Sequence, residues 1–130
     1  MKKLSMFLLT MMVSISFAKE TVTSTSLNSV DYVETPRVTP FCLSIVKGDY
    51  EMVRKLIDLG TEVNQSSRGM TPLMYAARYN RVEIIKLLID HGAKLKAKDS
   101  KGFTALEYAE LSGAKDAQTL LLEFKERQVK

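Results

Sequence analysis

Thr71 to Ala93 reads TPLMYAARYNRVEIIKLLIDHGA, and this stretch decides the fold. Thr71-Pro72 starts a helix: a Thr side chain can accept from the first free amides, and Pro is tolerated in the first turn, where its missing N–H costs nothing. Leu73, Ala76 and Ala77 then form an apolar stripe with small members, so this helix can approach its neighbours closely. Asn80 sits where the chain must turn, and Asn accepts a left-handed backbone more readily than most residues. Val82 to His91 follows with apolar positions at helical spacing. Gly92 ends that second helix as the first residue beyond it. The unit is helix–turn–helix, followed by an extended loop to the next Thr.

The same pattern lies on both sides. Thr39-Pro40-Phe41, Thr71-Pro72-Leu73 and Thr104-Ala105-Leu106 recur at offsets of 32 and 33 residues. Gly48, Asn80 and Gly113 share the turn position. Gly60 and Gly92 each follow their Thr by 21 residues. Val53, Leu56 and Ile57 correspond to Ile85, Leu88 and Ile89, and to Gln118, Leu121 and Leu122. A repeat of this length signals a solenoid, in which each unit buries its apolar face against the next.

These residues resemble the ankyrin repeat over roughly Glu34 to Phe124. The resemblance implies an all-α solenoid of about three helix–turn–helix units with projecting loops and a concave face. The units are expected at about 34–66, 67–98 and 99–130. Departures from the family pattern are confined to particular sites. The His that commonly follows Thr-Pro-Leu is replaced by Cys42, Met74 and Glu107. The loop from Thr61 to Met70 is one residue shorter than its successor. The first unit carries Ile45-Val46 in place of the Ala-Ala pair and charged residues on its second helix. The third has Ala105 for Pro and Lys125 for the terminal Gly, with Glu123, Glu126 and Arg127 beside it. Wettable ends of this kind suit capping units.

The N-terminus reads differently. Lys2 and Lys3 precede an uncharged run from Leu4 to Phe17, and Ser16-Phe17-Ala18 places small residues where a signal peptidase reads. Residues 1–18 are therefore expected to be a secretory signal peptide cut between Ala18 and Lys19. The apolar run, about 14 residues, is short of the roughly 20 a membrane span needs. An uncleaved anchor is the rival reading, and no Cys near the run supports a lipoprotein. The Ser/Thr-rich residues 19–33 read as a flexible polar tether. The leader looks bacterial, with the periplasm as destination and full secretion as the alternative. Removing Lys2 and Lys3 lowers the net charge from +4 to +2, so the basic balance is no nucleic-acid footprint.

Composition limits the chemistry. One Cys (Cys42), one His (His91) and no Trp are present. No intramolecular disulfide can form, and no zinc site can be built from Cys and His. Cys42 is expected in the core and His91 at a helix C-terminus, where the helix dipole favours it. No catalytic constellation, phosphate loop, metal-ligand spacing or cofactor motif is visible. The chain thus reads as a non-enzyme that acts by surface recognition.

The resemblance places recognition on loop tips and on the exposed side of the first helices. Met70, Tyr75, Arg78, Tyr79, Phe103 and Tyr108 are the candidate partner-binding residues, an aromatic and Met stripe flanked by arginine; Arg37, Val38, Leu43, Val46 and Lys47 in the first unit, and Arg68, Lys101, Leu111 and Ser112 in the others, occupy further variable positions. Such residue types are enriched at interface hot spots. The alternative is that Tyr75 and Tyr108 pack between units and show only their hydroxyls. Lys94, Lys96, Lys98 and Lys101 form a second candidate, for an acidic partner or an anionic envelope polymer. Exported proteins of similar build include ones that protect a bacterium from cell-wall-cleaving or toxic enzymes. The partner implied is a periplasmic or secreted enzyme, held by a monomer. An accessory role for such an enzyme, for example in oxidative-stress defence, and an effector binding host proteins are the alternatives.

Overall fold

Each Thr of the repeated triplets caps a helix in the computed structural model, which describes residues 37–130. The signal-peptide and tether expectations, residues 1–18 and 19–33, lie outside the described residues. Among the described residues six helices follow in pairs: α1 (Pro40–Lys47) with α2 (Tyr50–Asp58), α3 (Pro72–Arg78) with α4 (Val82–Asp90), and α5 (Ala105–Ser112) with α6 (Lys115–Val129). Among the described residues the only extended pairing is an isolated bridge between Ser67 and Met70.

The first helices start alike and differ in one atom. Thr39, Thr71 and Thr104 accept from the amides of Cys42, Met74 and Glu107, each at 3.3 Å. The residue at that third position decides whether the cap is reciprocal. Glu107 Oε2 accepts from the Thr104 amide at 3.2 Å, closing a capping box. Met74 closes the same ring with a weaker sulfur acceptor, at 3.3 Å from the Thr71 amide. In the first unit the Thr39 amide goes instead to Ser67 Oγ of the next loop, at 3.0 Å. Thus the position at which the family His is missing still serves helix initiation in units two and three.

The turn positions behave as their residue types require. Gly48, Asn80 and Gly113 have φ of 75°, 56° and 70°, the left-handed region where Gly and Asn are least penalised. Gly48 is further constrained by Arg81, whose guanidinium carbon would lie 3.0 Å from any added Cβ.

The three first helices lie side by side, with α3 packed on both α1 and α5. Ala76, Ala77, Ala105 and Ala109 are almost fully buried at these contacts and let the backbones approach. Cys42, Ile45, Leu73 and Met74 complete this layer. Val53, Ile85, Leu88 and Leu121 cover it from the second helices. Polar ties then join each unit to the next. Arg81 Nε and Nη2 donate to the Val46 carbonyl at 3.1 and 2.6 Å. Asn64 donates to the Gly92 carbonyl at 3.0 Å and accepts from the Lys94 amide at 2.9 Å. Asn80 Oδ1 accepts from the Ala117 amide at 2.9 Å. That last bond matters because α6 starts at Ala114 with no side-chain cap of its own. The middle unit supplies it.

Candidate functional site

The loops before α3 and α5 carry the variable residues, and they are built differently. Ser67 and Met70 exchange both backbone hydrogen bonds, at 2.8 and 3.1 Å, around Arg68-Gly69. Both central residues have positive φ, 53° and 82°, the geometry of a two-residue hairpin turn. Arg68 is therefore presented on a tight tip. The later loop has one residue more. Asp99 binds across to Phe103, and its carboxylate organises the turn: Oδ1 accepts from the Lys101 and Phe103 amides at 2.9 and 2.8 Å.

Two tyrosines fasten these loops to their helices. The Tyr75 hydroxyl donates to the Ser67 carbonyl at 2.9 Å. The Tyr108 hydroxyl donates to Asp99 Oδ2. Met70 and Phe103 hold the residue before each Thr cap, and Tyr75 and Tyr108 the fourth helical position. This is the arrangement of a hydrophobic staple, which fixes how the chain enters a helix. Phe103 and Tyr108 meet edge to face, with centroids 5.7 Å apart.

Two expectations are corrected here. Met70 and Tyr75, expected as exposed contacts, are buried, Tyr75 to 6% accessibility. Their apolar bulk closes the helix–loop corner, and the one polar atom of Tyr75 is consumed within its own unit. The signal was present: an aromatic shared between two units belongs to the scaffold. Phe103 and Tyr108 occupy equivalent positions but stay half-buried. Arg78 and Tyr79 are exposed, the Arg78 guanidinium standing 5.8 Å from the Tyr79 ring centre.

Between α3 and α5 these differences leave a groove of about 420 Å³, lined by Arg68, Met70, Arg78, Lys101, Phe103, Tyr108 and Leu111 together with Asp99, Ser100 and Ser112. Four of the six sequence-predicted residues line it: Met70, Arg78, Phe103 and Tyr108. Tyr75 and Tyr79 are not among the residues lining it. Asp99 was absent from the sequence reading, although an Asp two residues before Lys101-Gly102 is a turn-forming signal. The Lys cluster separates. Lys101 lines this groove, whereas Lys96 and Lys98 line another beside Leu106, Glu107 and Lys125.

The electrostatics follow from the same bonds. The Tyr108 hydroxyl, with loop amides, holds the Asp99 carboxyl below the usual carboxylate range. The same bond pushes Tyr108 up to about 12. Both groups therefore keep fixed charge states near neutral pH. Burial raises Tyr75 and raises the Cys42 thiol. Cys42 is fully buried, and a buried thiol is inert compared with a thiolate. His91 Nδ1 lies 2.9 Å from the Leu87 carbonyl. That carbonyl only accepts, so Nδ1 carries the proton. Each of these two singletons is thus accounted for by local packing. Among the described residues no cluster of His, Cys, Asp and Glu is placed to hold a metal. No described helix is long and apolar enough to cross a membrane.

The family model for ankyrin repeats (3 copies) matches residues 17–129. Human "Ankyrin repeat and SOCS box protein 11" is 36% identical over 91 residues, covering 69% of this chain and 28% of that protein. "Ankyrin repeat, SAM and basic leucine zipper domain-containing protein 1" of Neofelis nebulosa is 44% identical over 54 residues, 41% of this chain and 11% of its own length. "Potassium channel AKT1" of Oryza sativa subsp. japonica is 34% identical over 80 residues, 61% of this chain and 9% of the channel. The chain thus spans under a third of the length of these relatives. What they share with it is the repeat, a general protein–protein interaction module and generally a non-catalytic one. With three capped helix pairs, their left-handed turns and a family match along most of its length, the chain belongs to the ankyrin-repeat family.

Proposed function

We propose that this chain is an exported binding protein of the periplasm that holds a periplasmic or secreted enzyme as an inhibitor or immunity-type protein. The groove between α3 and α5 carries this reading. It gathers Arg78 and Lys101 with apolar surface from Leu111 and from the half-open corner of Phe103 and Tyr108. Exposed arginine beside aromatic and aliphatic surface is the composition of an interface centre. A standard interface covers about 800 Å² on each partner, within reach of three units. The export half rests on Lys2, Lys3, the apolar run and Ser16-Phe17-Ala18. A bacterial source rests on that same leader.

Three measurements test it. The intact mass of the chain recovered after expression in a Gram-negative host should match a product beginning at Lys19, found in the periplasmic fraction. Full-length material in the cytoplasm or membrane would overturn the export half. Affinity capture from the native periplasm should then retain one enzyme, lost with Arg78→Glu but not with Lys96→Glu. Assay of that enzyme with the chain added decides the role: inhibition supports the reading, and stimulation replaces it with an accessory one.

A further inference from the structure

We infer that the groove between α3 and α5 recognises an acidic peptide segment carrying an apolar side chain. The carboxylates face Arg68, Arg78 and Lys101, and the apolar side chain rests on Leu111 and the Phe103–Tyr108 edge. This rests on the reading that the chain holds another protein, and it names the chemistry of the part held.

Charge is the first argument. Three cations line the groove with one carboxylate, Asp99. That carboxylate is already taken by the Lys101 and Phe103 amides and the Tyr108 hydroxyl. Among the described residues the ion pairs are Lys86–Glu83 and Arg127–Glu123, and neither uses a groove cation. The groove therefore offers positive charge that the described residues leave without an ion pair. The other concave surfaces carry less net positive charge, and one, beside Phe41 and Leu56, has Glu62 as its single charged residue. A second sets Arg54 and Lys55 against Asp49, Glu51 and Asp58. Another sets Lys96, Lys98 and Lys125 against Glu107 and Glu110.

Apolar surface is the second argument. Leu111 is 69% accessible on the last turn of α5, and it lines the groove with the edges of Phe103 and Tyr108. A purely anionic ligand would leave that surface wet. A peptide that alternates charge and bulk covers it. Two arginines also favour planar carboxylates, which their fork-shaped donors meet in two parallel bonds.

Rigidity is the third. Arg68 stands on a hairpin tip at φ 53°, a conformation uncommon for a residue with a Cβ. Asp99 and Tyr108 tie the opposite wall to its own loop. Walls fixed before binding lose less freedom when a ligand arrives. A long nucleic-acid backbone asks for something else, a continuous basic track. This groove has three cations in one concavity, on a chain of net charge +4.

Fluorescence anisotropy on the full chain tests the inference with four labelled probes. These are a dodecapeptide of alternating Glu and Leu, its Glu→Lys and Leu→Ser versions, and a single-stranded oligonucleotide of matched charge. The Glu–Leu peptide should bind, and the other three roughly tenfold or more weakly. Arg78→Glu and Arg78→Ala should each weaken the Glu–Leu peptide, the former by about tenfold, while Lys96→Glu changes it by about twofold or less. Thermal melts identify any variant that fails to fold, and Lys101→Glu then replaces it. Equal binding of the Glu–Ser peptide or the oligonucleotide would reduce the groove to a generic anion surface and overturn the inference. So would loss of no affinity in Arg78→Glu, or no binding of the Glu–Leu peptide. The captured enzyme separates the two claims. If Arg78→Glu holds it as tightly as the parent chain, the acidic-peptide inference fails and the holding role stands. If the peptide binds in the groove but nothing is captured, the holding role is what fails.

Discussion

The loop–helix corners of units two and three use the same device to different ends. In both, a Tyr on the fourth helical position returns its hydroxyl to the loop before the helix. In unit two the acceptor is the Ser67 carbonyl, and the corner is closed over Met70 and Tyr75. In unit three the acceptor is the Asp99 carboxylate in a loop one residue longer, and Phe103 and Tyr108 stay half-open. A buried tie to a neutral carbonyl makes scaffold. A tie to a carboxylate at the surface makes scaffold and also occupies the one acidic side chain lining the groove, which keeps its charge. The tyrosines are alike because the units need them; the groove exists because their loops differ.

Truncating the two tyrosines breaks the comparison most visibly. Tyr75→Ala removes a buried ring and one of the two hydrogen bonds to the Ser67 carbonyl, so it should cost about 3–5 kcal/mol. In so short a solenoid that approaches global unfolding. Tyr108→Ala removes a half-exposed ring and should cost roughly 1–2 kcal/mol. Denaturant unfolding followed by circular dichroism measures both. Equal losses would mean that the corners are energetically alike.

A smaller effect sharpens the view of the middle unit as support for the third. Asn80→Gly keeps the left-handed turn but deletes the cap on the Ala117 amide, and should lower stability by about 1 kcal/mol. Asn80→Ala loses the cap and also strains the turn, adding roughly 1 kcal/mol. Amide exchange should localise the opening at the first turn of α6. Faster exchange spread evenly over all six helices would argue against a local cap.

The smallest effect is one of pH, and its acid limb belongs to unit three. The folded-state pKa of Asp99 is lowered, chiefly by the Tyr108 hydroxyl. Its contribution is present above the ordinary carboxylate range and is lost as pH falls through the lowered value. Tyr108 is raised from the ordinary tyrosine value of 10.0 to about 12. Its contribution is complete below pH 10 and is lost as pH rises through about 12. Tyr108→Phe should therefore shallow the acid limb of a melting-temperature profile and lessen the alkaline fall between those values, to which the raised Tyr75 also contributes. Tyr75→Phe should leave the acid limb unchanged. An unaltered acid limb in Tyr108→Phe would show that the bond contributes nothing in solution.

Much of this fold was legible from short-range rules. Thr-Pro starts, Gly or Asn turns and apolar residues at helical spacing each carry local physics, and the period of 32 and 33 residues repeats them. The candidate site was half legible. Arg78 could be placed outward because charge disfavours burial. Met70 and Tyr75 misled, because a side chain's type says what it does when exposed and not whether it is exposed. Their equivalence to Phe103 and Tyr108 pointed to the staple, and the extra loop residue in unit three pointed to the open corner. Asn64, Asn80 and Arg81 were illegible as ties, since each reaches a backbone group 28 to 37 residues away. Asp99 was hidden among the lysines around it, which draw attention to charge where its role is to shape a turn.

The most direct test is the affinity of the captured enzyme for two variants of matched stability, Arg78→Glu and Tyr75→Phe. If the groove is the recognition surface and the buried corner is scaffold, Arg78→Glu weakens binding by about tenfold or more while Tyr75→Phe changes it by about twofold or less. If Tyr75→Phe lowers affinity with its melting temperature unchanged and Arg78→Glu does not, the division between scaffold and surface is contradicted.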